Sequence, residues 1–449
     1  MAPRSTRRDV VAALAAGAPV GVAATRAAPA DETTASGKWA QFQYDPANTG
    51  HAPDAWGPAW DVTERWSTNT DSTGLTSPAV VDGTIYAGDG DGTVYAYDGR
   101  SGDRTWTYEL DGRVTGSPAV VGGIVYVGSD ENYLYALDAA SGTEQWSAWT
   151  EAPIQAAPTV ANDRVYVGNG YDGTFFAFGA TTGNRNWTYD IGDKLTTAAA
   201  VDGETVYVTA DGAIDAFDAI SGEHRWVNNR VGDVGIAPAV HDGRVYLGNR
   251  DGVVLALDAS NGDHLWSFET GDTIQNTVAV GRGNVYVGCD DNKVYALAAD
   301  TGDQQWVFET GDRVSTAPVL AGGTVYVGSY DNKVYALDAA SGDLKWEREG
   351  PVIDSAPAVV YGDLYLTNSG GNVAALEPAS TPTPGGTPTP SENQNGTPTP
   401  TPGGKQTSTP TPQANNVGGD GGLSLGAILS TFGMVLVIVF LAVRQLVGD

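Results

Sequence analysis

Cysteine and histidine are scarce in this chain, and their scarcity excludes two common kinds of site. The single cysteine, Cys289, excludes an intramolecular disulfide. It lies in VYVGCDD, where related segments have serine or asparagine, so we interpret it as a small residue at a strand end and not as a nucleophile. The four histidines, His51, His224, His241 and His264, are scattered without the spacing of a metal site.

Positive charge is scarce as well. The chain of 449 residues has 54 Asp and Glu against 24 Lys and Arg, which gives a net charge of −30. Because nucleic-acid binding requires clustered Lys and Arg, this composition argues against nucleic acid as a partner. Excess aspartate with few lysines is typical of extremely halophilic archaea, where dense salt screens the repulsion. We therefore predict a haloarchaeal protein, with an ordinary acidic secreted protein as the alternative.

One sequence repeat of about forty residues recurs along most of the chain. Its clearest copies are residues 117–146, SPAVVGGIVYVGSDENYLYALDAASGTEQW, and residues 317–346, APVLAGGTVYVGSYDNKVYALDAASGDLKW. Tryptophans end the copies at spacings of 40, 40, 41, 39, 40, 40 and 40 residues: Trp66, Trp106, Trp146, Trp187, Trp226, Trp266, Trp306 and Trp346. A period so regular indicates an array of one supersecondary unit.

Four short strands are predicted in each copy. In the second copy they are residues 118–121, 124–128, 133–138 and 144–149, each rich in Val, Tyr or Trp. Gly-Gly, Asp-Gly and Asp-Asn pairs between the strands predict tight turns. Four-stranded antiparallel units that repeat every forty residues predict an all-β fold, the β-propeller.

The ends of the repeat region predict how the propeller closes. Eight segments begin with a first strand, but the eighth ends after residues 373–376 without a tryptophan strand. An unpaired strand that contains Trp66 precedes the first segment. Joining the two predicts an eight-bladed propeller over residues 61–377, closed by the amino-terminal strand, which leaves no open sheet edge.

The phrase ALDAASG…W, at residues 136–146 and 336–346, resembles the tryptophan-docking motif of the pyrroloquinoline-quinone (PQQ) repeat family. That family includes eight-bladed quinoprotein alcohol dehydrogenases and a non-enzymatic outer-membrane assembly lipoprotein. The resemblance implies that the eight repeat tryptophans are structural docking residues between adjacent blades. Residues 39–50, WAQFQYDPANTG, are similar to the strap before such repeats. We expect this lead-in, residues 31–60, to pack across the rim or bottom of the propeller.

The same resemblance raises the possibility of a redox enzyme. In the quinoprotein dehydrogenases the quinone lies at the channel mouth, between a tryptophan and a disulfide of adjacent cysteines, and Ca²⁺ is held by Glu, Asn and Asp. This chain has no cysteine pair. We therefore predict no catalytic, cofactor or metal residues and a function as a binding or scaffold module for envelope or extracellular proteins. A dehydrogenase that uses PQQ and Ca²⁺ is the alternative.

Aspartates are predicted to recur on one face of the propeller. Strand order places the turns after each second strand beside the loops that lead into each blade. The turn aspartates are Asp91, Asp172, Asp211, Asp251, Asp291 and Asp331, and the loop aspartates are Asp111, Asp193, Asp233, Asp272 and Asp312. A ring of carboxylates suits Ca²⁺, whereas turn residues on a solvated halophilic surface are the alternative. A Ca²⁺-stabilised surface or adhesive protein is therefore a third hypothesis.

Both ends of the chain predict export and anchoring. Residues 1–30 place twin arginines before a weakly apolar run and an Ala-Pro-Ala cleavage site, which resembles a twin-arginine signal. Residues 423–443 carry no charge and are long enough for a transmembrane helix. Arg444 follows directly, so residues 444–449 are predicted to be cytoplasmic. The expected location is the cell membrane, with one membrane pass and an extracellular propeller.

A linker is predicted between the propeller and the membrane segment. Residues 378–422 consist largely of Thr, Pro, Gly, Asn and Gln, so they cannot form a core and are expected to be extended and disordered. Asn395 lies here in an N-glycan acceptor sequence, and Asn186 lies in another within the repeats.

Overall fold

The computed structural model describes residues 38–70, 72–314, 316–350 and 354–379. The predicted signal, membrane segment and tail lie outside these ranges, as do Asn395 and nearly all of the linker. Within the described ranges no helix is long and apolar enough to cross a membrane.

Eight four-stranded antiparallel blades form the structure, and we number them one to eight in the chain order of their first strands. The first strands are β3 Ala79–Val81, β7 Ala119–Val121, β11 Thr159–Ala161, β15 Ala200–Asp202, β19 Ala239–His241, β23 Ala279–Gly281, β27 Val319–Ala321 and β31 Ala358–Val360. The second strands are β4 Thr84–Gly88, β8 Ile124–Ser129, β12 Arg164–Gly168, β16 Thr205–Ala210, β20 Arg244–Gly248, β24 Asn284–Cys289, β28 Thr324–Ser329 and β32 Asp363–Thr367.

The two outer strands of each blade complete the sheets. The third strands are β5 Thr93–Asp98, β9 Tyr133–Asp138, β13 Thr174–Gly179, β17 Ala213–Asp218, β21 Val253–Asp258, β25 Lys293–Ala298, β29 Lys333–Asp338 and β33 Asn372–Pro378. The fourth strands are β6 Arg104–Glu109, β10 Glu144–Trp149, β14 Arg185–Asp190, β18 His224–Asn228, β22 His264–Glu269, β26 Gln304–Glu309, β30 Leu344–Glu349 and, for blade eight, β2 Val62–Asn69. The all-β, eight-bladed prediction is confirmed.

Contacts between the first strands close the ring. Each first strand contacts that of the next blade, and β3 contacts β31. Blade eight is completed by β2, which pairs with β33 and sets Trp66 opposite Ala375, as the unpaired tryptophan strand predicted. Arg65 on β2 binds the carboxylates of Asp363 and Glu377 at 2.7 and 2.8 Å. These ion pairs reinforce the junction between the first and last parts of the propeller sequence.

A β-bulge precedes the tryptophan in every blade. In blade seven, for example, Trp346 is opposite Ala336 while Leu344 is opposite Leu337, which leaves Lys345 without a partner in the ladder. The same register shift occurs between the third and fourth strands of the other seven blades. Because a bulge re-aims the side chain beside it, this recurring irregularity sets the direction of the indoles.

Residues 39–52 of the lead-in strap line the central channel, whereas Trp56 packs on the turns between the first and second strands of blades seven and eight, so the prediction of a strap across the rim or bottom is only partly right. Amides of seven first strands donate to the strap at 2.6–2.9 Å: Val80 to Trp39, Val120 to Ala40, Val160 to the Gln41 side chain, Val201 to Pro46, Val240 to Ala47, Val280 to Thr49 and Leu320 to Gly50. The strap ends in β1, His51–Ala52, which pairs with β27 in parallel. Each first strand presents an unpaired edge to the channel, and the strap satisfies these edges.

Protonation of His51 is expected to loosen this end of the strap. Burial and the nearby His241 and Arg282 lower the pKa of His51 to about 4, from an ordinary value of about 6.5. Below about pH 6.5 the unfolded chain therefore binds a proton that the folded chain does not bind until about pH 4. The free energy of unfolding should fall on acidification through this window. Denaturant titrations of His51→Gln should show a smaller loss between pH 7 and pH 4.5 than wild type.

The matched control is His264→Gln, because His264 is exposed on β22. That variant should keep the wild-type loss of stability on acidification. An equal loss in wild type and His51→Gln would contradict the assignment.

Candidate functional site

The eight repeat tryptophans bridge adjacent blades. Each indole N–H donates to a backbone carbonyl 2.8–3.1 Å away: Trp66 to Gly99, Trp106 to Ala139, Trp146 to Ala180, Trp187 to Ala219, Trp226 to Ala259, Trp266 to Ala299, Trp306 to Ala339 and Trp346 to Pro58. The first seven acceptors lie in the turn between the third and fourth strands of the next blade. Seven of these tryptophans thus dock onto the next blade, and the indoles form part of the wall of the ring.

Glycine and tyrosine complete each docking contact. Gly342 has φ of +76°, and an added Cβ would lie 2.7 Å from the Trp306 ring, so only glycine fits under the indole. The hydroxyl of Tyr286 donates to the Ala339 carbonyl at 3.1 Å, the same acceptor that Trp306 uses. Sequence analysis missed this tyrosine, although its repetition in VYV on the second strands was a usable signal.

The junction of blades seven and eight uses a substitute acceptor. The chain enters blade eight's fourth strand from the lead-in, so the turn that docks the other tryptophans is missing there. The carbonyl of Pro58 takes its place and accepts from Trp346 at 2.8 Å and from the Tyr326 hydroxyl at 3.2 Å. The lead-in therefore completes the wall of the ring as well as lining its channel.

A central funnel opens on the mouth face, which we define as the face with the loops into each first strand and the turns after each second strand. The funnel encloses about 320 Å³ and is lined by all eight blades. Phe42 of the strap forms its floor, packed against Ala157, Ala198 and Ala237. Its polar lining consists of Thr76, Ser77, Thr115, Ser117, Gln155, Thr196, Thr197, Gln275, Asn276, Thr277, Thr316, Asp354 and Ser355.

The funnel lining does not fit a bound quinone of the kind that the family resemblance implies. Its described residues include no tryptophan to stack on a quinone and no arginine or lysine to neutralise the carboxylates of PQQ. The one cysteine, Cys289, lies elsewhere, on β24. Apart from the carboxyl group of Asp354, the polar lining consists of hydroxyl and amide groups, which suit hydrogen bonds to a polypeptide better than they suit redox chemistry.

The predicted aspartates share the mouth face, and the carboxylates of two turn aspartates already accept backbone amides. The carboxylate of Asp331 accepts the Gly311 amide at 2.9 Å, and that of Asp291 accepts the Gly271 amide at 3.1 Å. Burial is the largest single influence on Asp291 and acts to raise its pKa, but the Tyr295 hydroxyl, the Cys289 thiol, Lys293 and the Gly271 amide together outweigh it, so the pKa is lowered. Among the described residues no three Asp, Glu, His or Cys side chains are placed to hold a metal ion.

Cys289 ends its strand in a structural role. It is buried, and its thiol donates to the Asp272 carbonyl at 3.1 Å. Ser329, at the same position of blade seven, donates to the Asp312 carbonyl at 2.9 Å. Burial raises the pKa of the Cys289 thiol, which disfavours the reactive thiolate.

A partly buried histidine–aspartate pair was not identified in the sequence analysis. His224 on β18 and Asp215 on β17 are joined at 2.7 Å. The histidine ring stacks on Tyr189 of blade three, and burial raises the pKa of Asp215. Asp215 stands where other blades carry an aromatic or apolar residue, so the pair replaces a packing contact between blades and lies away from the funnel.

Large aromatic side chains are exposed around the funnel. Trp149 ends β10 on the mouth face with 50% of its surface exposed, and Tyr171, in the next blade's turn, is 78% exposed. Tyr330, in the corresponding turn of blade seven, lies 4.3 Å under the guanidinium of Arg313. Exposed Trp and Tyr rings are frequent at protein interfaces. On the outer edge, Asn186 is exposed on β14, where a glycan remains a prediction.

Comparison with known proteins places this geometry in a family. The family model described as outer membrane protein assembly factor BamB (PQQ_2) matches residues 59–115, 109–197, 172–278 and 271–398. The chain belongs to this family. A search of curated proteins finds no match.

Solved structures that resemble this BamB-family chain include a BamB and two dehydrogenases. BamB from Moraxella catarrhalis is 22% identical, with a TM-score of 0.61, and the match covers 71% of this chain and all of that one. Quinohemoprotein alcohol dehydrogenase from Comamonas testosteroni is 20% identical, with a TM-score of 0.66 and coverage of 77% and 81%. A europium-containing methanol dehydrogenase is 16% identical, with a TM-score of 0.64 and coverage of 76% and 98%. At such identities the likeness establishes the fold alone.

Proposed function

We propose that this chain is a protein-binding scaffold of the cell envelope that engages its partner through the mouth face. The observation that carries the proposal is the lining of the funnel, in which every blade except blade five presents hydroxyl or amide side chains above the Phe42 floor, together with the carboxyl group of Asp354. Trp149 and Tyr171 beside it supply the exposed rings from which protein interfaces draw much of their energy. Membership of the BamB family is consistent with a role in protein assembly.

The proposal includes export and anchoring, which rest on the sequence. The twin-arginine pattern of residues 1–30 supports export, and the uncharged run of residues 423–443 supports one membrane pass. The Thr-Pro linker between propeller and membrane segment is a spacer in this arrangement. A net charge of −30 supports function at high salt, which would screen the repulsion between such molecules.

Site-directed photo-crosslinking in the native host tests the choice of face. A photoreactive amino acid at Tyr171, on the mouth face, should yield one discrete crosslinked protein. The same group at Tyr361, a 59% exposed tyrosine in the turn between β31 and β32 on the opposite face, should yield far less of that product. Equal crosslinking from the two positions would refute the mouth face as the binding surface.

A quinone titration separates the scaffold from the enzyme. Addition of PQQ and Ca²⁺ to the purified full-length chain in high salt should give no bound-quinone absorbance and no dye-linked alcohol oxidation, because the described funnel lining lacks the cations and the stacking indole. A known quinoprotein dehydrogenase, stripped of its cofactor and reloaded in parallel, is the positive control. Stoichiometric quinone uptake with turnover would establish the enzyme instead.

A further inference from the structure

A second layer of aromatic contacts joins the blades outside the tryptophan layer. The ring two residues after the docking tryptophan packs against a third-strand tyrosine of the next blade. These pairs are Tyr108 with Tyr135, Phe268 with Tyr295 and Phe308 with Tyr335, at centroid separations of 6.3, 5.7 and 5.6 Å. In the last of these the tyrosine hydroxyl is hydrogen-bonded to Asp331.

Both rings are missing at the junction of blades seven and eight. The ladder register puts Arg348 at the position of Phe308 and Ala374 at the position of Tyr335. A cavity of about 110 Å³, which we call the seam cavity, lies there against both residues. An engineered apolar cavity of about 150 Å³ binds benzene, so this space is of the right order for one aromatic ring.

We propose that the seam cavity binds a neutral monocyclic phenol. Val334, Leu366, Ala374 and Leu376 provide apolar walls for the ring. The Arg348 guanidinium is held by the Val62 carbonyl at 2.8 Å and borders the cavity, where it favours an aromatic ring through a cation–π contact.

The polar groups of the seam cavity favour a ligand that has a hydroxyl group and no net charge. Asn368 and Asn372 border it with amide groups that suit a phenol hydroxyl. Glu64 and Glu349 also border it, so the residues around the cavity carry two carboxylates and one guanidinium. This balance disfavours a carboxylate ligand such as benzoate, whose charge would be repelled. The phenol ring is available either from a free small molecule or from a tyrosine side chain.

Binding of p-cresol to the purified full-length chain, followed by ligand-observed NMR and calorimetry, tests the proposal. We expect saturable binding at one site, with benzoate at least about tenfold weaker because of the two carboxylates. Ala374→Tyr, which restores the missing ring, should abolish binding, and Arg348→Met should weaken it several-fold. Val307→Tyr, which adds the same ring to an exposed position of blade six, should bind p-cresol as wild type does.

A second variant at Ala374 and a peptide ligand complete the experiment. If Ala374→Tyr does not fold, Ala374→Val fills part of the cavity and should still weaken binding. The peptide Gly-Gly-Tyr-Gly-Gly separates the two sources, because binding of both ligands indicates a tyrosine side chain and binding of p-cresol alone indicates a free phenol. Absence of saturable p-cresol binding, or binding that neither substitution at Ala374 changes, would overturn the proposal.

Discussion

Replacement of Trp266 by alanine is expected to lower the free energy of unfolding by about 3–5 kcal/mol. The indole is 7% exposed, donates to the Ala299 carbonyl at 2.9 Å and lies against Gly302 of the next blade. The substitution leaves a cavity between two blades, and the Ala299 carbonyl keeps only the hydrogen bond from the Tyr246 hydroxyl at 3.3 Å. The indole also packs against the Tyr246 ring, with the two ring centroids 6.0 Å apart. We expect such packed side chains to be held too firmly to move into the cavity. Denaturant unfolding followed by circular dichroism measures the loss.

The control for this prediction is the neighbouring residue on the same strand. Leu265 is 44% exposed on β22, so Leu265→Ala should change the stability by no more than about 0.5 kcal/mol. Similar losses in the two variants would show that the strand, and not the docked indole, is the sensitive element.

Asn48→Ala is the second substitution with a large expected effect, about 2–4 kcal/mol of unfolding free energy. The Asn48 side chain is buried in the channel and donates to the carbonyls of Ala199 and Pro238, which belong to blades four and five, at 3.0 and 3.1 Å. Alanine would leave both buried carbonyls without this donor. It would also have to adopt the φ of +55° that asparagine tolerates better. Thermal and denaturant unfolding at fixed salt measure the effect.

Asp54→Ala provides the comparison, since Asp54 belongs to the same lead-in but is exposed. It should unfold within about 0.5 kcal/mol of wild type. If Asn48→Ala were as stable as Asp54→Ala, the strap would be a passive filling of the channel and not a brace between blades.

Much of the fold could be predicted because the same pattern of strands and turns occurs eight times in the sequence. The strands expected at 133–138 and 144–149 match β9 and β10. Those expected at 118–121 and 124–128 differ from β7 and β8 by one residue at one end. Local turn chemistry sets these bounds, so they can be read without knowledge of the tertiary structure.

The strap was beyond such reasoning. Its segment has no period and no regular secondary structure beyond the two residues of β1, so nothing local indicates the path. The path depends on the unpaired inner edges of the first strands, which exist as a ring of donors only after eight blades assemble. The acceptor role of Pro58 has the same origin. Only in the closed ring does Trp346 face a blade that lacks the docking turn, and the Pro58 carbonyl then accepts its hydrogen bond.

The candidate site was likewise only partly predictable. The mouth face and the shared position of the turn and loop aspartates followed from strand order. Binding partners of single carboxylates, such as Asp331 with the Gly311 amide, did not. The funnel lining comes from the short segments just before each first strand, such as Thr316 and Ala317. Their position in the repeat was a usable signal, but their convergence is a property of the closed ring.

The sequence by itself determined the strands, the number of blades and the closure by the amino-terminal strand. These follow from interactions that are local or that repeat at a fixed interval. Only the tertiary structure decided what fills the centre and what is left open at the edges. Contacts between elements far apart in the chain produce the path of the strap, the funnel above Phe42 and the cavity beside Ala374. Such contacts cannot be predicted from any single segment of the sequence.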